Sequence, residues 1–190
     1  FPFGQPRRLL ENLDWSPDWE SYVTAISLLG KKGWDEFLKS YRDGRPKGDK
    51  QHLRVTDRIA GSRSPMMMYG VPVGKMFFEG APRLMKSGVS IIPCRPNNSD
   101  RIAIEAYPAL VARRWAIKSG YKNDQKGKQT SEQKIARKLI VDGLGAESVQ
   151  VYGIEVLVED DVKQSMVGDA SGDTLDGLLC AVQAAWAYLQ

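Results

Sequence analysis

From Trp19 onward, Trp19, Tyr22, Val23, Ile26 and Leu29 return at intervals of three and four, the repeat of one buried face of an α-helix. Ser16-Pro17 is placed to start that helix and Gly30 to stop it. Trp34, Phe37, Leu38 and Tyr41 resume the pattern and predict a second short amphipathic helix before the polar stretch 42–50. Pro108 opens a helix carrying Leu110, Val111, Trp115 and Ile117 and ending at Gly120. Ser131 opens another that buries Ile135, Leu139 and Ile140 and ends at Gly143 and Gly145. Leu175, Leu178, Leu179, Val182, Trp186 and Leu189 define the last helix, with Asp173 or Thr174 as its cap.

Between these helices the pattern changes. FPFGQP at the start reads as a strand end running into a turn, and residues 51–65 read as a loop. Residues 65–88, with three consecutive methionines, predict a buried turn followed by short helical pieces, the methionines serving as adaptable core filler. Val89 to Pro93 and Arg101 to Tyr107 predict a β-hairpin, with Ile102, Ile104 and Ala106 on one face and Arg101, Ala103 and Glu105 on the other. Residues 121–130 predict an exposed loop, 149–158 fit a helix or an edge strand, and 160–172 form an acidic segment containing glycine. Helices and strands together place the chain in the α/β class.

Composition narrows the setting. The 190 residues are 42% hydrophobic and 26% charged, an ordinary balance for a globular domain. No apolar run approaches the roughly 18 residues of a membrane span, so no membrane partner is expected. Cys94 and Cys180 stand alone, which argues for a reducing, cytoplasmic location. Phe1 is neither an initiator Met nor part of a leader, and the expectation is that the chain begins inside a longer protein. Charge is segregated: residues 113–138 hold nine Lys and Arg against Asp124 and Glu132, whereas 139–190 hold nine acids against Lys163. A basic arm beside a carboxylate-rich segment suits a polyanion held near a divalent cation, or two solvated faces.

Few residues offer chemistry. Asp173 and Asp176, three apart in a first helical turn, lie on one side of the helix and can share a cation, or simply oppose the helix dipole. Glu105 ends a predicted strand, and with the helix-start acids it would supply the oxygen ligands that a hard divalent ion needs. Arg54, Thr56, Asp57, Arg58, Ser62, Arg63 and Ser64 cluster in a loop that can bind phosphate or solvate itself. His52, the single histidine, has no nucleophile elbow near it and reads as solvated.

Taken together, the strings FPFG, RVTD, IEAYP, GYK and GDTLDGLLCAVQAAWAYL resemble the predicted nucleases catalogued as domain of unknown function 429, which are similar to the ribonuclease H-like fold. DTLDGLLCA with its Ala-rich continuation is the most specific part, and the helices within 14–50 are the least typical. The resemblance implies one ribonuclease H-like domain over 1–190, a central sheet flanked by helices, with a helical insertion at about 14–50. The chain is helix-rich in this view because the first strands, including one bearing an Asp, belong to a portion before Phe1, on the same precursor chain or on another. The resemblance further implies that Glu105, Asp173 and Asp176 are catalytic and hold Mg²⁺ or Mn²⁺. Arg54, Asp57 and Lys122 would contact a nucleic-acid substrate that Lys126 and Lys128 position. The expected activity is divalent-metal-dependent hydrolysis of phosphodiester bonds. Two rivals are a non-catalytic nucleic-acid-binding or interaction domain of the same fold, and a hydrolase of a small phosphorylated metabolite.

Overall fold

A computed structural model describes residues 1–116 and 120–190, with the side chain of Lys126 outside that description. The chain is helix-rich with a small parallel sheet, a mixed α/β architecture, and divides into two units, Phe1–Glu105 and Ala106–Gln190, each with its own core.

In the first unit α1 (Arg7–Asn12) follows directly on the opening residues, which form no strand. Next comes α2 (Trp19–Asp43), started by Asp18 rather than Ser16-Pro17, because the Asp18 carboxylate accepts from the Ser21 N–H at 2.9 Å. Both predicted helices lie within α2, joined at Gly30, whose φ of 70° and ψ of 167° break the helical geometry. α2 buries Trp19, Tyr22, Val23, Ile26, Trp34 and Leu38 and packs against α4 (Val73–Lys86) at Phe77 and Ala81. Trp34 is fully buried, and its indole N–H donates to the Gly74 carbonyl at 3.1 Å, which removes the cost of burying that polar group. The 14–50 stretch therefore supplies the centre of this core.

Three expectations for this unit are corrected. Residues 55–60 are helical, as α3 (Val55–Ala60), within the expected loop, and α4 is one continuous helix through Gly80 and Pro82 rather than short pieces. The hairpin is absent: β1 (Ser90–Ile92) and β2 (Ile102–Ile104) run parallel, with Ser90 opposite Ile102 and Ile92 opposite Ile104. The chain does reverse after β1, where Arg95 pairs antiparallel with Ile91, but it then turns a second time. Asn97 secures that second turn, its side-chain amide donating to Gly88 and Val89 and its backbone N–H to Ser90. Ile102 and Ala103 lie on opposite faces as the alternation predicts, and it is Ala103 that packs on the core while Ile102 is 65% exposed. Met66, Met67 and Met68 are buried, as expected of core filler.

The second unit comprises α5 (Pro108–Ala112), a 3₁₀ turn at Lys126–Lys128, α6 (Ser131–Tyr152), α7 (Asp160–Gly168) and α8 (Asp173–Tyr188). Pro108 occupies the first turn of α5 as predicted, and Ile117 lies outside the described residues. α6 begins with a capping box between Thr130 and Gln133 and does not stop at Gly143 or Gly145; it runs on to Gly153 in the left-handed conformation. Gly143 is there for packing, because the Trp115 indole lies where a Cβ would be. The buried seam of α6 is Ala136, Ile140, Val141 and Leu144, while Ile135 and Leu139 are exposed. The acidic segment after residue 159 forms α7. α8 buries Leu175, Leu179 and Val182 as its spacing predicts, although Trp186 and Leu189 are exposed. Among the described residues no helix is long and apolar enough to cross a membrane.

Candidate functional site

The residues singled out by sequence fall into two groups, one in each unit. In the first unit, Arg54 precedes α3 and its guanidinium grips two carboxylates. It donates from Nε and Nη2 to Asp57 at 2.9 and 2.7 Å, and from Nη1 and Nη2 to Glu105 at 2.7 and 2.6 Å. Asp57 also accepts from the Arg54 backbone N–H and the Ser62 hydroxyl, which closes the first turn of α3. Burial pushes the Asp57 carboxyl up, yet the hydrogen bonds and charge of Arg54 prevail and hold it below the ordinary value. The guanidinium is likewise opposed by burial and then raised by its bonds to Glu105 and Asp57, so the ion pair stays charged.

This geometry assigns the three residues unequal roles. Asp57 is 2% exposed and holds Arg54 in place instead of facing a substrate, contrary to the expectation that it binds one. Glu105 accepts three bonds, from the Phe3 N–H at 2.7 Å and twice from Arg54, leaving about one of a carboxylate's roughly four acceptor sites. Trp19 in turn donates to the Phe3 carbonyl, so the opening residues are fixed at both backbone groups of Phe3.

In the second unit the centre is Asp176, in the first turn of α8. Its Oδ1 accepts from the Tyr121 hydroxyl at 2.5 Å and its Oδ2 from the Lys122 ammonium at 2.6 Å. Burial and then the Asp176 bond push the Tyr121 phenol up, so it stays protonated and donates. For Lys122 burial favours the neutral amine, but Asp176 outweighs it and keeps the ammonium charged. The Tyr121-Lys122 segment is anchored from two sides: Arg137 and Gln133 of α6 donate to its carbonyls, and the Asn123 N–H donates to Ala170. Gly172, with φ of 72°, completes the fit, since a Cβ there would stand 2.8 Å from the Cβ of Lys122.

Asp173 is exposed three residues before Asp176 and is not the cap of α8; neither is Thr174. Gly172 holds the cap position, and the Asp169 carboxylate reaches the first turn from outside it, one oxygen accepting from Ser171 and the other from the Thr174 N–H and hydroxyl, which together hold its carboxyl well below the usual range. Lys128 is exposed in the 3₁₀ turn, and the Lys126 side chain lies outside the described residues. His52 is buried rather than solvated, shares a 2.7 Å hydrogen bond with the Tyr41 hydroxyl, and is depressed by that burial. Cys94 and Cys180 are free, half-buried thiols pushed up by burial, which favours their protonated form.

Sequence reasoning passed over Tyr121, Asp169 and the buried Arg137. Tyr121 stood inside the quoted GYK string and could have been found there; Arg137 was counted as part of a basic surface, and its 3% exposure has no sequence signal. Among the described residues no three His, Cys, Asp or Glu side chains form a metal-ligating group. The donor set at the start of α8 nevertheless suits Mg²⁺, which is commonly bound by one or two carboxylates, with water and substrate phosphate completing its shell. Each Asp176 oxygen retains a lone pair, and Asp173 is open to solvent on the same side of the helix. Comparison of the chain with protein-family models, with curated proteins and with solved structures gives no match.

Proposed function

We propose that the chain is a ribonuclease H-like domain that hydrolyses phosphodiester bonds of nucleic acid with the help of Mg²⁺ or Mn²⁺. The observation that carries this reading is the pairing of the quoted strings: Arg54 of RVTD binds Glu105 of IEAYP, and Lys122 of GYK binds Asp176 of GDTLDG. Glu105 and Asp176 thus each have beside them a cation able to neutralise a phosphate. Asp176 and Asp173 would hold the ion, which when bound supplies Lewis-acid activation of water and of the leaving oxygen. Lys122 would exchange its bond to Asp176 for a substrate phosphate, and Tyr121 would keep the carboxylate oriented throughout. Glu105 is assigned by the resemblance, and its crowded lone pairs make it the weaker donor.

A second reading is favoured by the same ion pairs, because carboxylates already satisfied by Arg54, Tyr121 and Lys122 also suit a non-catalytic nucleic-acid-binding domain. Assays of wild type, Asp176→Asn and Glu105→Gln with Mg²⁺ or Mn²⁺ on DNA and RNA separate the two. Metal-dependent cleavage that Asp176→Asn lowers about a hundredfold or more, with binding retained, is the expected result. Binding without cleavage by the wild type, or cleavage indifferent to Asp176→Asn, removes the catalytic reading; the Glu105→Gln variant tests the assignment of Glu105 separately.

A further inference from the structure

Two adjoining cavities in the first unit, of about 600 and 380 Å³, share Gln51 and Tyr69; they contain none of the residues given a role in the phosphodiesterase reading, although Ser62, Arg63 and Ser64 of the 51–65 cluster line the larger one. The larger lies within the range of about 300–1,000 Å³ usual for small-molecule sites. Three features say what such a ligand must be.

The first is an open aromatic face. Tyr69 is 62% exposed at the junction of the cavities, and the Arg42 guanidinium lies 5.8 Å from its ring centroid. A tyrosine steadied in this way offers a stacking surface to a planar ring, and Leu53 and Val71 extend it with apolar wall. The second is unmet hydrogen bonding. Arg42 Nε and Gln51 Nε2 are buried donor atoms with no acceptor, and both residues line these cavities. A buried donor without a partner is costly, so a ligand rich in acceptor oxygens or ring nitrogens relieves two such costs at once.

The third is charge. Arg42 and Lys50 line the smaller cavity and Arg63 the larger, and among the described residues none of the three forms an ion pair. Asp43 is the single acid on the lining. The two serine hydroxyls present are already committed, Ser62 to Asp57 and Ser64 to the His52 carbonyl, which leaves recognition to the cations and Gln51.

We propose that this double cavity binds a nucleoside 5′-monophosphate, its base stacked on Tyr69 beside Arg63 and its phosphate held by Arg42, Lys50 and Gln51. The site shares no ligand residue with the phosphodiesterase reading, and the test omits divalent metal so that the two fail separately. The whole chain is titrated calorimetrically with the four ribonucleoside monophosphates, the matching nucleosides and inorganic phosphate. At least one nucleotide is expected to saturate the protein about tenfold more tightly than either its nucleoside or phosphate. Tyr69→Ala and Lys50→Ala should each weaken it about tenfold and Tyr69→Phe should preserve it. Both positions are exposed, so these variants remain folded, which circular dichroism checks. Lack of saturation by all four nucleotides, equal affinity for inorganic phosphate, or indifference to Tyr69→Ala and Lys50→Ala overturns the proposal.

Discussion

Asp57 and Glu105 share one guanidinium but differ in what surrounds them. The Asp57 side chain is 2% exposed and the Glu105 side chain 30%, so loss of the first leaves a partly buried Arg54 charge with a single partner, whereas loss of the second lets water take its place. Asp57→Ala should therefore cost about 3 kcal/mol of stability and Glu105→Gln about 1 kcal/mol, an ordering that urea denaturation measures. The pH dependence follows in sign. Because the folded Asp57 carboxyl lies below its unfolded value, its stabilising contribution is complete above the unfolded carboxylate range of about 4 and drains away as pH falls through the folded value. Removing Asp57 should flatten the acid limb of the stability profile; an unchanged limb would show that other carboxylates govern it. At this scale the sequence marks Arg54 and Asp57 as neighbours but not as buried, since burial depends on Phe3 and Glu105 arriving from distant positions. For the same reason His52 reads as solvated when in fact it lies under Tyr41.

α6 carries two glycines that look alike in sequence and behave differently in the fold. Gly143 is pressed against the Trp115 indole, whereas nothing stands within 4 Å of a Cβ at Gly145. Gly143→Ala should destabilise by about 1–3 kcal/mol through overpacking. Gly145→Ala, in an exposed helix interior, should stabilise by about 0.5–1 kcal/mol. Thermal unfolding of the pair decides it: equal shifts of the same sign would mean that Trp115 does not pack on α6. Glycine alone therefore cannot announce a helix end, and α6 outruns the expected stop because its terminating residue is Gly153, with positive φ and an N–H bonded back to Val149. The two halves of α2 on either side of Gly30 and the first three turns of α8 were legible because periodicity and packing agree there. The parallel strand pair was not, because its direction is set by Asn97 bonding back to Gly88 and Val89, a contact that local turn propensity does not encode.

Over the whole chain, the separation of basic and acidic blocks turns into mutual neutralisation within the second unit. Lys122 pairs with Asp176, Lys138 with Asp142 and Arg114 with Glu147, and Arg137 is spent inside on backbone carbonyls. With no metal on Asp176, four of the nine cations in residues 113–138 are thereby committed within the unit, leaving at most five for a polyanion. The two candidate groups and the charge blocks were legible in outline, but which cation meets which acid was not, because those pairs join residues up to 54 positions apart. Counterion release makes the difference measurable. Each phosphate neutralised on duplex DNA contributes about 0.9 to the slope of log affinity against log salt, so an arm acting in full would give a slope near 8 and the compensated one about 4.5 or less. Fluorescence anisotropy with a fixed duplex from 50 to 200 mM salt should accordingly find the shallower dependence, and Asp176→Asn should steepen it by about one unit as Lys122 is released. A slope near 8 in the wild type would mean that the ion pairs of this unit open when nucleic acid binds. The hydrolytic reading requires only the exchange of Lys122, which adds a single phosphate contact and so about 0.9 to the slope once metal takes its place on Asp176.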